Sequence, residues 1–229
     1  MKKKHVLIST LLALTAVCSA FSACDLSGLG GVGGAGSASG GGENIQQSSE
    51  TEQDGVRYDV YDEGTHARVI GYTGAPTSVV IESEYESLPV THILGHSFQD
   101  CTSLQSIVLP DCVALIDGWT FANCSNLQTV RMAGVTHLAD GAFENCTSLT
   151  SVVIGNNLVR VADDTFAGCT SLSTVYYYGT ASDWDLENIE LGESNEYFLN
   201  ATWYYYSEEA PTKEGNFWHY DGDSNPVAW

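Results

Sequence analysis

Phe143-Glu144-Asn145-Cys146-Thr147-Ser148-Leu149 is the third appearance of one phrase in this 229-residue chain. Phe98-Gln99-Asp100-Cys101-Thr102-Ser103-Leu104 and Phe121-Ala122-Asn123-Cys124-Ser125-Asn126-Leu127 precede it, and Phe166-Ala167-Gly168-Cys169-Thr170-Ser171-Leu172 follows, at offsets of 23, 22 and 23 residues. Each Leu opens an L-x-x-[IV]-x-[LMIY] run: Ile107 and Leu109, Val130 and Met132, Val152 and Ile154, Val175 and Tyr177. Upstream of each Phe stands a further apolar pair: Val90 and Ile93, Val113 and Ile116, Val135 and Leu138, Leu158 and Val161. Self-similarity at a fixed short period is the signature of a repeat architecture.

Each period reads as one coil. Ile107 and Leu109 alternate as inward residues of a short strand, with Leu104 at its start. The pair three apart, and the Phe five residues after it, are spaced as helical or 3₁₀ turns on the opposite wall. One coil cannot bury both walls, but stacked coils make a continuous core. Six inward apolar side chains per coil, at roughly 1.5–3 kcal/mol each when fully buried, help to offset the ordering of the backbone.

Cys101, Cys124, Cys146 and Cys169 share the period, three residues before each Leu. A cysteine that recurs beside buried positions is a small apolar core residue, so the four read as an interior ladder. The coil spacing of about 4.8 Å also permits disulfides between neighbours, with Cys112 as a further candidate. A linear stack does not converge tetrahedrally on zinc.

The pattern resembles the repeats of the BspA-like (Treponema-type) leucine-rich-repeat surface proteins, whose coils read approximately L-x-x-[VI]-x-[IL]-P-x-x-[VL]-x-x-I-x-x-x-x-F-x-x-C. Val90 to Tyr178 follows it closely, with the proline kept only at Pro110. Val69 to Pro89 looks like that family's opening strand and first partial coil, and Trp203 to Trp229 is similar to the closing module of its clostridial members. The resemblance implies an α/β-type solenoid: a right-handed leucine-rich-repeat coil of period 22–23 residues with short parallel β-strands on the concave face. Some members of the family bind host proteins.

Ahead of the repeats, Met1-Lys2-Lys3-Lys4 and an uncharged run from Val6 to Ala23 form an export signal, followed by no basic stop. Phe21-Ser22-Ala23-Cys24 resembles a bacterial lipobox, which makes Cys24 the expected lipidation site; Phe21 departs from the family's usual leucine. Cys18 competes but follows Val17, and cleavage of an ordinary signal near Ala20 or Ala23 is the other route. The expected organisation is therefore a lipoprotein signal peptide at 1–23, a flexible Gly/Ser-rich tether at 24–50, an N-terminal cap and first partial coil at 51–89, repeats at 90–180, and an aromatic, acidic C-terminal cap at 181–229. Tyr58 to Ile70, around Gly64, is placed to form a capping hairpin, because open coil ends expose apolar core and strand edges.

The chain carries eight Lys and Arg against 29 Asp and Glu, a net charge of −21. Removing residues 1–23 takes three of the bases and leaves −24. Such a charge repels phosphates, which excludes nucleic acid as an expected partner and leaves the membrane as a partner through the lipid anchor only. No G-x-S-x-G, H-E-x-x-H or P-loop pattern occurs. Asp221-Gly222-Asp223-Ser224-Asn225 starts like a calcium loop, but Pro226 occupies the glycine position. His92 and His137 are two coils apart, too far to share a metal. No cofactor, metal site or catalytic residue is expected.

What remains is the outward set on the strands. The period aligns Ser106, Thr129, Ser151 and Thr174 in one row, with Val108, Arg131, Val153 and Tyr176 beside it. Exposed valines and a tyrosine on a rigid sheet suit contact with a protein ligand of a host or neighbouring cell; the same residues also satisfy plain β propensity. The expected function is a lipid-anchored, extracytoplasmic cell-envelope protein presenting a protein-binding or adhesive surface without catalysis. A purely structural repeat protein is the alternative, and a hydrolytic enzyme the third.

Overall fold

The computed structural model describes residues 51–53, 55–182, 184 and 189–229; the signal, the tether and Cys24 lie outside them. The chain opens with β1 (Thr51–Gln53), β2 (Val56–Tyr61) and β3 (His66–Tyr72), an antiparallel meander whose β2–β3 turn is a 3₁₀ segment at Asp62–Gly64. The coils then supply β4 (Ser78–Val80), β5 (Glu84–Tyr85), β6 (Leu88–Ile93), β7 (Ser106–Val108), β8 (Leu115–Ile116), β9 (Thr129–Met132), β10 (His137–Leu138), β11 (Ser151–Gly155), β12 (Arg160–Val161), β13 (Thr174–Tyr178), β14 (Glu190–Leu191) and β15 (Thr202–Tyr206). A single turn of helix, α1 (Glu196–Leu199), precedes β15, and β16 (Phe217–Tyr220) and β17 (Pro226–Ala228) close the chain.

These strands form two sheets. One runs β17-β16-β15-β13-β11-β9-β7-β4, and the other β1-β2-β3-β6-β8-β10-β12-β14 with β5 attached to β6. Within the coils every neighbour pair is parallel except β5 with β6, which is antiparallel. This is a leucine-rich-repeat solenoid with short, largely parallel strands on a curved sheet.

Of the helical or 3₁₀ turns expected on the opposite wall, single turns with i→i+3 hydrogen bonds form at each Phe, as Cys124 N donates to Phe121 O and Cys146 N to Phe143 O, but the aliphatic pair before them is not helical. Ile116, Leu138 and Val161 stand instead on two-residue strands that hydrogen-bond coil to coil, followed by turns that carry the Phe. A spacing of three is compatible with a turn followed by a strand as well as with a helix. Backbone pairing between coils decides the matter, because it satisfies N–H and C=O groups that a lone helical turn would leave open.

The repeat positions assigned to the interior are buried throughout. Phe98, Phe121, Phe143 and Phe166 are fully enclosed, as are the strand and pair residues around them. Their rings stack as a spine: Phe98 on Phe121 at 5.2 Å between centroids, Phe121 on Phe143 at 5.1 Å, and Phe143 on Phe166 at 5.4 Å. Tyr72 extends the spine at one end and Phe198, from α1, at the other. Each stacked pair contributes about 0.5–1.5 kcal/mol beyond the area it buries.

Corners are made by left-handed residues at two repeat positions: His96, Trp119, Gly141 and Asp164, then Asp100, Asn123, Asn145 and Gly168. Asn and Asp tolerate this conformation by local hydrogen bonding. Here the side chains also bond to each other, Asn123 Nδ2 donating to Asp100 Oδ1 at 2.9 Å and Asn145 Nδ2 to Asn123 Oδ1 at 3.2 Å. Gly141, at φ 62°, leaves room for the indole of Trp119; a Cβ there would lie 2.6 Å from Nε1. The far end is closed by Asn195. In earlier coils the Phe N–H donates to a main-chain carbonyl of the next coil, as Phe143 N does to Thr165 O. Phe166 N donates instead to Asn195 Oδ1 at 3.0 Å, while Asn195 Nδ2 donates to Ala162 O at 2.9 Å.

Candidate functional site

The outward rows form as spaced. Register places Ser78, Ser106, Thr129, Ser151, Thr174 and Thr202 side by side across six strands. The neighbouring row runs Val80, Val108, Arg131, Val153, Tyr176 and Tyr204. Both rows therefore begin one strand earlier, at β4, and end one strand later, at β15, than the four phrases alone indicate. Parallel strands in matched register bring like residues together, as Ser78 and Ser106 show with hydroxyl oxygens 2.8 Å apart.

One assignment in this set needs correction. Val153 is not exposed: its accessibility is 5%. It stands between Arg131 and Tyr176, and residues from β16 engage both. The Arg131 guanidinium lies 4.6 Å from the centroid of the Tyr220 ring, and Trp218 packs 5.5 Å from Tyr176. Trp218 is itself fully buried, its Nε1 donating to Tyr177 O at 2.9 Å, and it contacts Tyr178, Tyr206 and Tyr220. The end of the chain thus folds over the outward face beside Arg131, Val153 and Tyr176: Val153 is buried, Arg131 and Tyr176 are half-buried like Ser106 and Val108, and Thr129 is exposed. Burial pushes the Tyr220 phenol up, against the pull of Arg131, and burial with Tyr204 beside it raises that of Tyr176. Both rings are therefore neutral phenols at physiological pH.

The other titratable groups do not assemble a reactive centre. Cys101, Cys124, Cys146 and Cys169 are buried thiols. The last three each donate S–H to the carbonyl of the Phe one coil earlier, at 3.1 Å. Burial drives the Cys124 thiol up to about 12, so it is far from a thiolate. His92 and His137 are separated by β8, where Leu115 pairs with both. Burial pushes the His92 imidazole down, and its ring meets the Tyr61 and Thr91 hydroxyls. His96 stacks on Trp119 at 5.6 Å and bonds Gln99 Oε1 at 2.8 Å. Among the described residues no group of three or more His, Cys, Asp or Glu is placed to hold a metal ion, and no helix is long and apolar enough to cross a membrane.

Fold and surface together define a leucine-rich-repeat scaffold suited to protein contacts. Residues 77–187 match the family model of the BspA type leucine rich repeat region, in six copies. No curated protein matches it. Among solved structures it is similar to a leucine-rich repeat protein from Bacteroides capillosus, at 23% identity and a TM-score of 0.51, over 57% of this chain and 99% of that one. It is also similar to a leucine rich cell surface protein from Faecalibacterium prausnitzii (18% identity, TM-score 0.45), covering 77% of this chain and 60% of that one. A third is the leucine-rich-repeat protein of T. pallidum, at 21% identity and a TM-score of 0.42, over 69% and 86%. At these identities the likeness is one of fold.

Proposed function

We propose that this is an extracytoplasmic, lipid-anchored leucine-rich-repeat protein that presents a protein-binding or adhesive surface and performs no catalysis. The observation that carries the reading is the paired outward row on six parallel strands, with Ser106, Val108 and Thr129 left accessible on a rigid support. A sheet face of hydroxyl and aliphatic side chains offers area and hydrogen bonds to a protein surface, with little side-chain entropy to lose. The export signal, the lipobox-like Phe21-Ser22-Ala23-Cys24 and the Gly/Ser-rich stretch behind it support anchoring through Cys24 and presentation away from the membrane. The charge of −21 supports a protein partner over nucleic acid. The structural alternative is favoured by one observation, the packing of Trp218 and Tyr220 against Tyr176 and Arg131, which leaves Val153 between them buried.

Two measurements test the reading separately. Mass spectrometry of membrane-extracted protein should find a diacylglyceryl-modified Cys24 at the amino terminus; an unmodified soluble terminus rejects the anchor. Immobilised full chain should retain a defined host or secreted protein that the V108E/T129K variant does not. Equal retention by both removes the outward rows from consideration.

A further inference from the structure

The first sheet ends differently at its two sides. At one side β17 folds back antiparallel on β16, whereas at the other β4 is the outermost strand among the described residues. Thr77 O accepts from Ser106 N, and Ile81 N donates to Val108 O. In a parallel ladder alternate residues of a strand bond to the same neighbour. Val79 therefore turns its N–H and C=O to β7, and Ser78 and Val80 turn theirs to the open edge. Proteins ordinarily blunt such edges with charge, proline, a bulge or a covering element. Thr77 to Ile81 has no charge and no proline, its register with β7 is unbroken, and Val80 is 51% exposed.

A cavity of about 230 Å³ adjoins this edge. Val56 and Tyr72, from the ends of β2 and β3, form one wall, Val79 and Val80 the other, and Glu82 contributes a carboxylate. A water needs only about 30 Å³, so the space admits a side chain. Thr51 pairs with Tyr58 and Gln53 with Val56, so β1 traced backward leads away from the cavity. A second copy would bring another −21 of charge and another Glu82, Glu84 and Glu86 to the same edge, which opposes self-pairing. The same field attracts a cation.

We infer that the β4 edge is a strand-addition site for an extended, basic segment of another protein. The added backbone completes the ladder at Ser78 and Val80, an apolar side chain enters the cavity against Val56 and Tyr72, and a Lys or Arg meets Glu82. Edge addition takes its affinity from main-chain bonds and its selectivity from such pockets. The site uses the edge backbone of Ser78 and Val80, at the start of the outward rows, and not the side chains of Val108 and Thr129, so substitutions at Val108 and Thr129 and at Glu82 test the two readings separately.

The probe is a short, end-blocked peptide of alternating valine and lysine, titrated into the nitrogen-labelled full chain and followed by amide NMR. Saturable binding is expected, with shifts confined to β4 and the β2–β3 ends, and amide exchange at Ser78 and Val80 slowed by at least about tenfold. The glutamate-for-lysine peptide, and E82K with the original peptide, should bind about tenfold or more weakly. V80P removes an edge N–H without touching the β7 ladder and should abolish binding; if it disturbs the fold, E82K carries the test alone. Unsaturable binding, shifts centred on Thr129 and Arg131, undiminished binding by E82K, or a β4-dependent dimer in sedimentation would overturn the inference.

Discussion

The ring of Phe166 lies on that of Phe198, 4.7 Å between centroids and 5° between planes, although the two are 32 residues apart and the four repeat phenylalanines from Phe98 to Phe166 are 22 or 23 apart. The last coil therefore keeps its interior position while accommodating extra residues between β13 and β14. Phe198→Ala should cost about 3–5 kcal/mol, as for other buried Phe truncations. Leu199→Ala, at an exposed neighbour, should stay within about 0.5 kcal/mol. Denaturant unfolding of the full chain measures both, and equal small losses would remove Phe198 from the spine.

Asn195 supplies by side chain what the next coil supplies elsewhere by backbone. Asn195→Ala strands the buried Phe166 N–H and should cost about 1–3 kcal/mol. Hydrogen exchange provides the sharper readout: the Phe166 amide should accelerate well beyond that of Phe143, whose acceptor is Thr165 O. Parallel acceleration of both amides would point to general loosening instead.

Arg131 and Tyr220 tie the chain terminus to the outward sheet face. A double-mutant cycle with Arg131→Ala and Tyr220→Ala should return a coupling of about 0.5–2 kcal/mol. Tyr220→Phe should retain it, since Tyr220 Oη has no hydrogen-bond partner among the described residues. Strict additivity would mean that the guanidinium and the ring do not interact in solution.

The ladder cysteines lead to predictions in redox and in pH. Reductant should leave the melting temperature unchanged, and Cys124→Ala should cost on the order of 1 kcal/mol. Burial raises Cys124 from 9.0 to about 12, and burial, with Tyr206 beside it, raises Tyr178 from 10.0 to about 12. The folded state then holds protons that the unfolded state releases, so stability is fully present below pH 9 and falls as pH rises from 9 to 12. Equilibrium unfolding across that window should show the decline, and Cys124→Ala should lessen it. A flat profile would contradict the burial of these groups.

Much of this architecture is legible in the sequence because the repeat states its interior in every period. Phe, Leu and the paired aliphatics recur where burial demands them, and an inward residue displaced by one position would face solvent, so periodicity alone separates core from surface. The Asp100, Asn123 and Asn145 ladder was equally available in the repeated phrase, as one column of residues suited to left-handed corners. Beyond the last phrase the signal disappears. Asn195 and Phe198 do the work of repeat positions at irregular spacing, and only their contacts with Phe166 identify them. The opposite wall could not be read either, because a spacing of three fits a turn-and-strand as well as a helix until pairing between coils decides. For the candidate surface, the sequence determined which side chains share a face, a consequence of strand alternation and register. Which of them stay accessible was decided by tertiary structure alone: Trp218 and Tyr220 come from more than forty residues beyond Tyr176 and Val153, and nothing local to either strand encodes a contact made by folding the chain's end back over the sheet.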